Sequence, residues 1–131
     1  MSKIVQLKDT EGVSLYPKVL EEYSTTEKII GRLEDGTLIY KKTYFGITSS
    51  NNIGTYVDTS FNANTIRIID SGGNISSSTS INQISIGGYV NADWYSGIHL
   101  DGSGLRLYVP NNNNLKNSSY MCWIKYTKTT D

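Results

Sequence analysis

Short runs that alternate apolar and polar residues, each ending at a turn signal, most limit the folds open to this 131-residue chain. Alternation with a period of two is typical of a strand with one buried face. Regular spacing of such runs predicts an all-β fold, an antiparallel β-sandwich or jelly-roll-like domain. By composition, residues 71–80 and 110–119 are loops. The predicted strands are residues 3–9, 13–19, 28–34, 37–45, 54–61, 65–70, 83–90, 97–100, 105–109 and 120–127.

The strongest local signal is an Asp-Gly pair at Asp35 between two of these runs. A two-residue type I′ turn needs positive φ at both central residues, which Asp-Gly tolerates well. We therefore predict a hairpin in which Leu33 faces Leu38. In the same register Tyr40 covers Gly31, a stabilising cross-strand pair. A second hairpin is predicted around the glycines that follow Asp101.

Composition excludes several classes of protein. The chain has no net charge, so nothing draws it to nucleic acid, and no apolar run is long enough for membrane insertion. Its 12 asparagines, 16 serines and 13 threonines are interrupted by 10 tyrosines and many isoleucines, which disordered chains lack. Because no signal-peptide pattern follows Met1, we expect synthesis in a cytoplasm. Cys122 is the single cysteine and is expected to be a small buried hydrophobe.

Charged residues are distributed unevenly. All five glutamates lie within the first 34 residues, and from Thr43 to Leu115 only six residues carry charge. A monomer usually keeps surface charges interspersed for solubility. The nearly neutral middle therefore predicts a surface that sister subunits cover or that meets an uncharged ligand.

No group of residues predicts catalysis. His99 is the only histidine, and it sits in a strand between Ile98 and Leu100, so it faces away from both. One histidine and one cysteine cannot supply the four ligands of a zinc site within one chain. The aspartates fall in turns without the spacing of a calcium loop or a paired-carboxylate site. We predict no enzyme activity, no cofactor and no metal.

Residues 89–99 hold the densest group of side chains suited to a ligand. Sugars are bound by flat aromatic faces against their C–H bonds and by amide or carboxylate groups against their hydroxyls. Large aromatic residues more often pack in the core, so burial of any one ring remains an alternative. The candidate glycan-facing residues are Tyr89, Asn91, Asp93, Trp94, Tyr95 and His99.

Three segments, in order, resemble parts of bacteriophage head and tail fibre proteins. Residues 2–19 are similar to the short N-terminal virion anchor of these proteins, and residues 23–45 are similar to the opening of their small C-terminal β-domain. Residues 125–131 resemble the end of that domain. Leu33 stands where the family usually has Trp, and no shaft separates anchor from β-domain. The anchor residues that the resemblance implies are Ile4, Leu7, Asp9, Gly12, Leu15, Tyr16 and Pro17.

The resemblance implies a virion structural protein, a stubby head fibre, tail fibre or capsid decoration. Residues 1–22 would form the virion-anchoring segment and residues 23–131 the β-sandwich fibre domain. Its partners would be two further copies in a homotrimer, a phage capsid or tail protein at the N-terminus, and a host-surface glycan during adsorption. Its place would be the virion, after synthesis in the bacterial host cytoplasm. Head or tail attachment, the host and the receptor stay open.

The alternative hypothesis is a free-standing carbohydrate-binding module or lectin. It predicts saccharide binding by a monomer and a dispensable N-terminal segment. The similarity of the N-terminal segment to a virion anchor favours the fibre hypothesis.

Overall fold

The computed structural model describes residues 7–8, 14–15, 23–50 and 54–129. Across these residues the chain forms strands and no helix, and every strand pairing is antiparallel, so the all-β prediction is confirmed. The strands are β1 Leu7–Lys8, β2 Ser14–Leu15, β3 Lys28–Arg32, β4 Leu38–Ile47, β5 Gly54–Asp58, β6 Ile66–Ser76, β7 Gln83–Ser85, β8 Tyr89–Asn91, β9 Trp94–Tyr95, β10 Gly97–Asp101, β11 Gly104–Tyr108 and β12 Ser119–Lys128.

The strands form a five-stranded sheet of order β3-β4-β12-β6-β7 and a three-stranded sheet of order β10-β11-β5. Strand β12 is the central strand of the larger sheet, because it pairs with β4 on one side and with β6 on the other. Burial alternates along β12 up to Tyr126: Cys122 and Ile124 are buried, whereas Trp123 and Lys125 point to the other face. Two short hairpins, β1-β2 and β8-β9, complete the described strands.

The core lies between the two sheets. Leu107 on β11 shares one buried cluster with Ile75 on β6 and Cys122 on β12. Leu105 on the same strand shares a second cluster with Ile124. Each fully buried Leu or Ile side chain contributes about 1.5–3 kcal/mol. The two sheets therefore pack face to face as a β-sandwich, as predicted, while a jelly-roll topology stays a prediction.

One polar link joins the sheets across this core. The carboxylate of Asp58 on β5 accepts hydrogen bonds from the Tyr44 hydroxyl at 2.7 Å and the Lys42 ammonium at 3.3 Å, both on β4. Burial raises the pKa of Asp58, but hydrogen bonds from Ser60, Tyr44 and Lys42 outweigh it and leave the pKa lowered. Burial and the Asp58 carboxylate together raise the pKa of Tyr44. The link is therefore a charged carboxylate at neutral pH.

The predicted type I′ turn and its register are wrong. Leu33 N–H donates to the Thr37 carbonyl at 2.8 Å, which leaves a three-residue loop in which Gly36 alone has positive φ, at 92°. That geometry is a type I turn followed by a left-handed glycine. Its longer loop and a bulge after Ile29 shift the register, so Gly31 pairs with Ile39 and not with Tyr40.

Strand β6 continues to Ser76, through part of the segment predicted as a loop. Gly72 faces Trp123 across the sheet, and the indole occupies the space that a Cβ at Gly72 would fill, 2.5 Å from its Cζ2 atom. At Gly73 the φ angle is 122° and a Cβ would lie 2.0 Å from the Met121 carbonyl oxygen. These glycines, read as loop signals, are sites of close strand approach.

The hairpin β10-β11 agrees with the prediction, because Asp101 pairs with Gly104 and its carboxylate accepts the Ser103 N–H. Of the predicted anchor residues, Leu7 and Leu15 are cross-strand partners in β1-β2. The others lie outside the described residues. They are Ile4, Asp9, Gly12, Tyr16 and Pro17.

Candidate functional site

The β8-β9 hairpin carries five of the six predicted site residues. Tyr89 and Tyr95 are cross-strand partners, and their rings stack with centroids 6.2 Å apart at 25°. Tyr89 is 72% exposed, so the stack presents an aromatic surface to solvent. The Asn91 side chain accepts the Asp93 N–H at 2.8 Å and closes the turn. Asn91 therefore has a local structural role in addition to any contact with a ligand.

The same hairpin is fixed to the sandwich at its base. Trp94 is half-buried and packs against the core cluster that contains Leu107. The Asn112 side-chain amide donates to the Asp93 carbonyl at 2.7 Å, and the Ser96 hydroxyl donates to the Ser85 carbonyl at 2.8 Å. The predicted aromatic residues therefore have different environments in the structure. Tyr89 is exposed, whereas Trp94 holds the hairpin in place.

His99 lies on a different surface, the outer face of the three-stranded sheet. Its side chain is exposed, as the alternation predicts. Its Nδ1 atom lies 3.8 Å from the Asp101 carboxylate, and its ring meets the Tyr108 ring edge-on with centroids 5.6 Å apart. His99 therefore belongs to a second group of side chains, on a different sheet from the β8-β9 hairpin.

We name this second group the Arg106 cluster. The Arg106 guanidinium is 2.9 Å from the Asp101 carboxylate, donates to the Tyr108 hydroxyl at 3.0 Å and stacks over the Tyr56 ring at 4.5 Å. The Ser103 N–H, followed by the Arg106 charge, lowers the pKa of Asp101. The carboxylate is therefore charged at neutral pH and oriented by its neighbours. The cluster consists of Tyr56, His99, Asp101, Arg106 and Tyr108.

Four members of this cluster were not predicted. His99 and Asp101 are two residues apart on β10, and Arg106 and Tyr108 are two residues apart on β11. A spacing of two places side chains on one face of a strand. The sequence did contain one signal that could have indicated this cluster. Arg106 and Asp101 are two of the few charged residues in the middle of the chain.

The outer face of the five-stranded sheet has an apolar end. Phe45 and Ile47 on β4 are 61% and 65% exposed, and Met121 on β12 is the cross-strand partner of Phe45. Trp123 follows on β12, between the ammonium groups of Lys41 and Lys125, which lie 4.9 and 5.2 Å from its ring. We name Phe45, Ile47, Met121 and Trp123 the apolar face. It is the kind of surface that marks a protein interface.

Three further properties of the described residues bear on function: the reactivity of the cysteine, the grouping of possible metal ligands and the capacity of any helix to span a membrane. Cys122 is fully buried, and burial raises the pKa of its thiol to about 12, so the nucleophilic thiolate is scarce at neutral pH. Nowhere in the described part of the chain do three or more His, Cys, Asp or Glu side chains gather as a possible metal site. Across the same residues, no helix has the length and apolar character needed to cross a membrane.

Comparison of the chain with protein-family models, with curated proteins and with solved structures gave no significant match.

Proposed function

We propose that the chain is a virion structural protein, a short trimeric appendage attached to a phage capsid or tail through residues 1–22. Its β-domain contributes to adsorption on host-surface glycans. The ordered resemblance of three segments to phage fibre proteins supports this proposal, together with the β-sandwich. The observation that carries it is the apolar face, which a second copy of the chain would cover.

A second copy is the occupant that best fits the apolar face. Neither Phe45 nor Ile47 belongs to a core cluster of the described residues, and a second copy that covers them would remove their apolar surface from water. Lys125 beside this face has Asp70 as its cross-strand partner, so this positive charge has a negative charge next to it. Closed rotational symmetry would also let three subunits cover their exposed strand edges.

The oligomeric state tests this proposal directly. We expect light scattering to give the mass of three chains at micromolar concentration. The double variant Phe45→Ser with Ile47→Ser should be a folded monomer, because it removes the apolar surface and leaves the core intact. As a matched control, Tyr56→Ser with His99→Ser changes the outer face of the other sheet and should remain a trimer. A wild-type chain that is a stable monomer would overturn the proposal.

The exposed tyrosine pair of β8-β9 supports the adsorption part of the proposal. The stack of Tyr89 and Tyr95 offers an aromatic surface to a sugar, and the polar residues Asn91 and Asp93 lie on the same hairpin. Tyr89→Ala should reduce binding of the trimer to host cells at least tenfold. Trp94→Ala serves as the contrasting variant. Loss of the trimer on that change would assign Trp94 a packing role, since it contacts the core.

Deletion of residues 1–22 distinguishes the fibre from a free-standing lectin. In the proposed appendage the truncated protein keeps its β-domain but no longer joins phage particles. A lectin unrelated to virions would bind saccharide as a monomer with or without this segment. Particle incorporation of the truncated chain at the wild-type level would show that the anchor assignment is wrong.

A further inference from the structure

A small open cleft of about 240 Å³ is lined by residues that belong neither to the β8-β9 hairpin nor to the Arg106 cluster. Four parts of the chain line it: the residue before β3, the β5-β6 connection, the start of β6 and the end of β12. We name it the Glu27 cleft. Its lining residues are Glu27, Ser60, Phe61, Thr65, Ile66 and Lys128.

The polar side of the Glu27 cleft is an ion pair held in place by aromatic residues. The Lys128 ammonium donates to Glu27 Oε1 at 2.7 Å and lies 4.1 Å from the centre of the Tyr40 ring. The buried Tyr126 hydroxyl donates to Glu27 Oε2. Burial raises the pKa of Glu27, but hydrogen bonds from Lys128 and Tyr126 outweigh it and leave the pKa lowered. At neutral pH the site is therefore a fixed carboxylate beside a fixed ammonium.

Both charged groups keep hydrogen-bonding capacity for a ligand. A carboxylate has about four acceptor positions, and Lys128 and Tyr126 occupy two on Glu27. An ammonium has three N–H donors, and Lys128 gives one to Glu27. The Thr65 hydroxyl donates to the Asn62 carbonyl at 3.3 Å, which leaves its oxygen able to accept.

The apolar side of the cleft is rigid. Phe61 is buried, and its ring lies 5.0 Å from the ring of Tyr126 and 6.4 Å from the ring of Tyr44. Ile66 starts β6 and is half-buried against the same cluster. A ligand in this cleft thus meets apolar carbon on one side and the ion pair on the other.

We propose that the Glu27 cleft binds one ring of a neutral saccharide. This inference rests on the proposed role in host-glycan adsorption and assigns that role a second site. The ion pair has no net charge, so a charged ligand would have to compete with one partner for the other. A neutral polyol can donate to Glu27 and accept from Lys128 while the pair stays intact. The volume is below the roughly 300–1,000 Å³ of pockets for drug-sized ligands, which limits it to a single ring.

Amide chemical shifts of the ¹⁵N-labelled full chain test the proposal with glucose, galactose and N-acetylglucosamine as separate probes. At millimolar concentration we expect at least one of the three to give saturable shifts at Ser60, Thr65 and Lys128. Acetate serves as the charged comparison. The proposal is overturned if none of the sugars shifts these amides, or if acetate alone does.

Two variants check that the shifts come from the cleft. Lys128→Gln removes the ammonium and should weaken sugar binding at least tenfold. Lys125→Gln is the matched control, because it makes the same change on the same strand but on the outer face, and it should bind as the wild type does. Thr65→Val, which keeps the shape of the side chain, should weaken binding where Lys128→Gln fails to fold. Unchanged binding in the folded cleft variants would overturn the assignment.

Light scattering on the same samples separates this inference from the proposed function. A trimer whose cleft shows no sugar binding overturns the cleft assignment alone. A monomer overturns the fibre proposal whatever the sugar titration shows.

Discussion

The two outer faces of the sandwich differ in the side chains that they expose to solvent. On the five-stranded sheet the apolar face leaves Phe45 and Ile47 more than half exposed. On the three-stranded sheet the Arg106 cluster carries charged and polar groups that contact one another. There Asp101 and Tyr108 both contact the Arg106 guanidinium, and Tyr56 stacks on it.

The difference shows what each face gains from a partner. Covering Phe45 and Ile47 removes apolar surface from water, which is favourable for any well-fitting partner. Covering the Arg106 cluster removes water from charged and polar groups, which costs desolvation unless the partner supplies new hydrogen bonds. The inward-facing residues of both sheets contribute to one core between them. The difference between the two outer faces therefore comes from their outward-facing residues alone.

The sharpest contrast pairs a core residue with an apolar-face residue. Leu107→Ala should lower the free energy of unfolding by about 2–5 kcal/mol, because it leaves a cavity between the sheets. Phe45→Ala should change the stability of an isolated subunit by only about 0.5 kcal/mol, as expected for an exposed position. Chemical denaturation of both variants at low protein concentration measures the two effects. A large loss in Phe45→Ala would mean that the apolar face is part of the subunit's own fold.

Glycines give the second contrast between the sheets. Gly72→Ala places a methyl group against the Trp123 indole and should cost about 1–3 kcal/mol through overpacking. Nothing lies within 4 Å of the corresponding position at Gly97 on the three-stranded sheet. Gly97→Ala should therefore be neutral or stabilise the fold by about 0.4–1 kcal/mol, chiefly by restricting the unfolded chain. Thermal unfolding, together with Trp fluorescence for Gly72→Ala, distinguishes the two, and equal losses would contradict the close packing at Gly72.

These glycines also show what the sequence could predict and what it could not. The pairing of an aromatic ring with a cross-strand glycine was predicted at Gly31 and Tyr40, and it does not occur there. The same device does occur between Gly72 and Trp123, where the residues are distant in sequence. Strand alternation is a local property, so the existence of strands could be predicted. Register between distant strands depends on long-range pairing, which no local pattern contains.

The candidate site residues also divide into those that are grouped by proximity in sequence and those that only the fold brings together. Residues 89–95 cluster because they are close in sequence, and the structure keeps them together on one hairpin. His99 was grouped with them by sequence distance alone, yet its partners are Asp101 and Tyr108. Likewise the Glu27 cleft joins Glu27 to Lys128, which stand about a hundred residues apart. Only the topology, with β12 central in the larger sheet, brings such groups together.

The polar link between the sheets should affect stability without altering either outer face. Asp58→Asn removes the negative charge of the group that accepts hydrogen bonds from Tyr44 and Lys42, and it should cost about 1 kcal/mol at neutral pH. Because the folded-state pKa of Asp58 is lowered from 3.8, its contribution is complete above that value and is lost as the pH falls through the folded pKa. The stabilities of wild type and variant should therefore converge in acid. Chemical denaturation of both proteins from neutral to acidic pH measures the difference between their free energies of unfolding. A difference that stays constant with pH would contradict the proposed role of the Asp58 carboxylate.

The smallest expected effect tests whether the Arg106 cluster is held by its own charges. The Ser103 N–H and the Arg106 guanidinium both lower the pKa of Asp101. Arg106→Gln keeps the Ser103 hydrogen bond and removes the charge, so the pKa of Asp101 should rise but stay below its ordinary value. Carboxyl ¹³C shifts followed through a pH titration measure this. Lys116→Gln, which removes a positive charge from the loop before β12, should leave the pKa of Asp101 unchanged. If Arg106→Gln also leaves it unchanged, the three-stranded face is not electrostatically self-contained, and its contrast with the apolar face rests on hydrogen bonding alone.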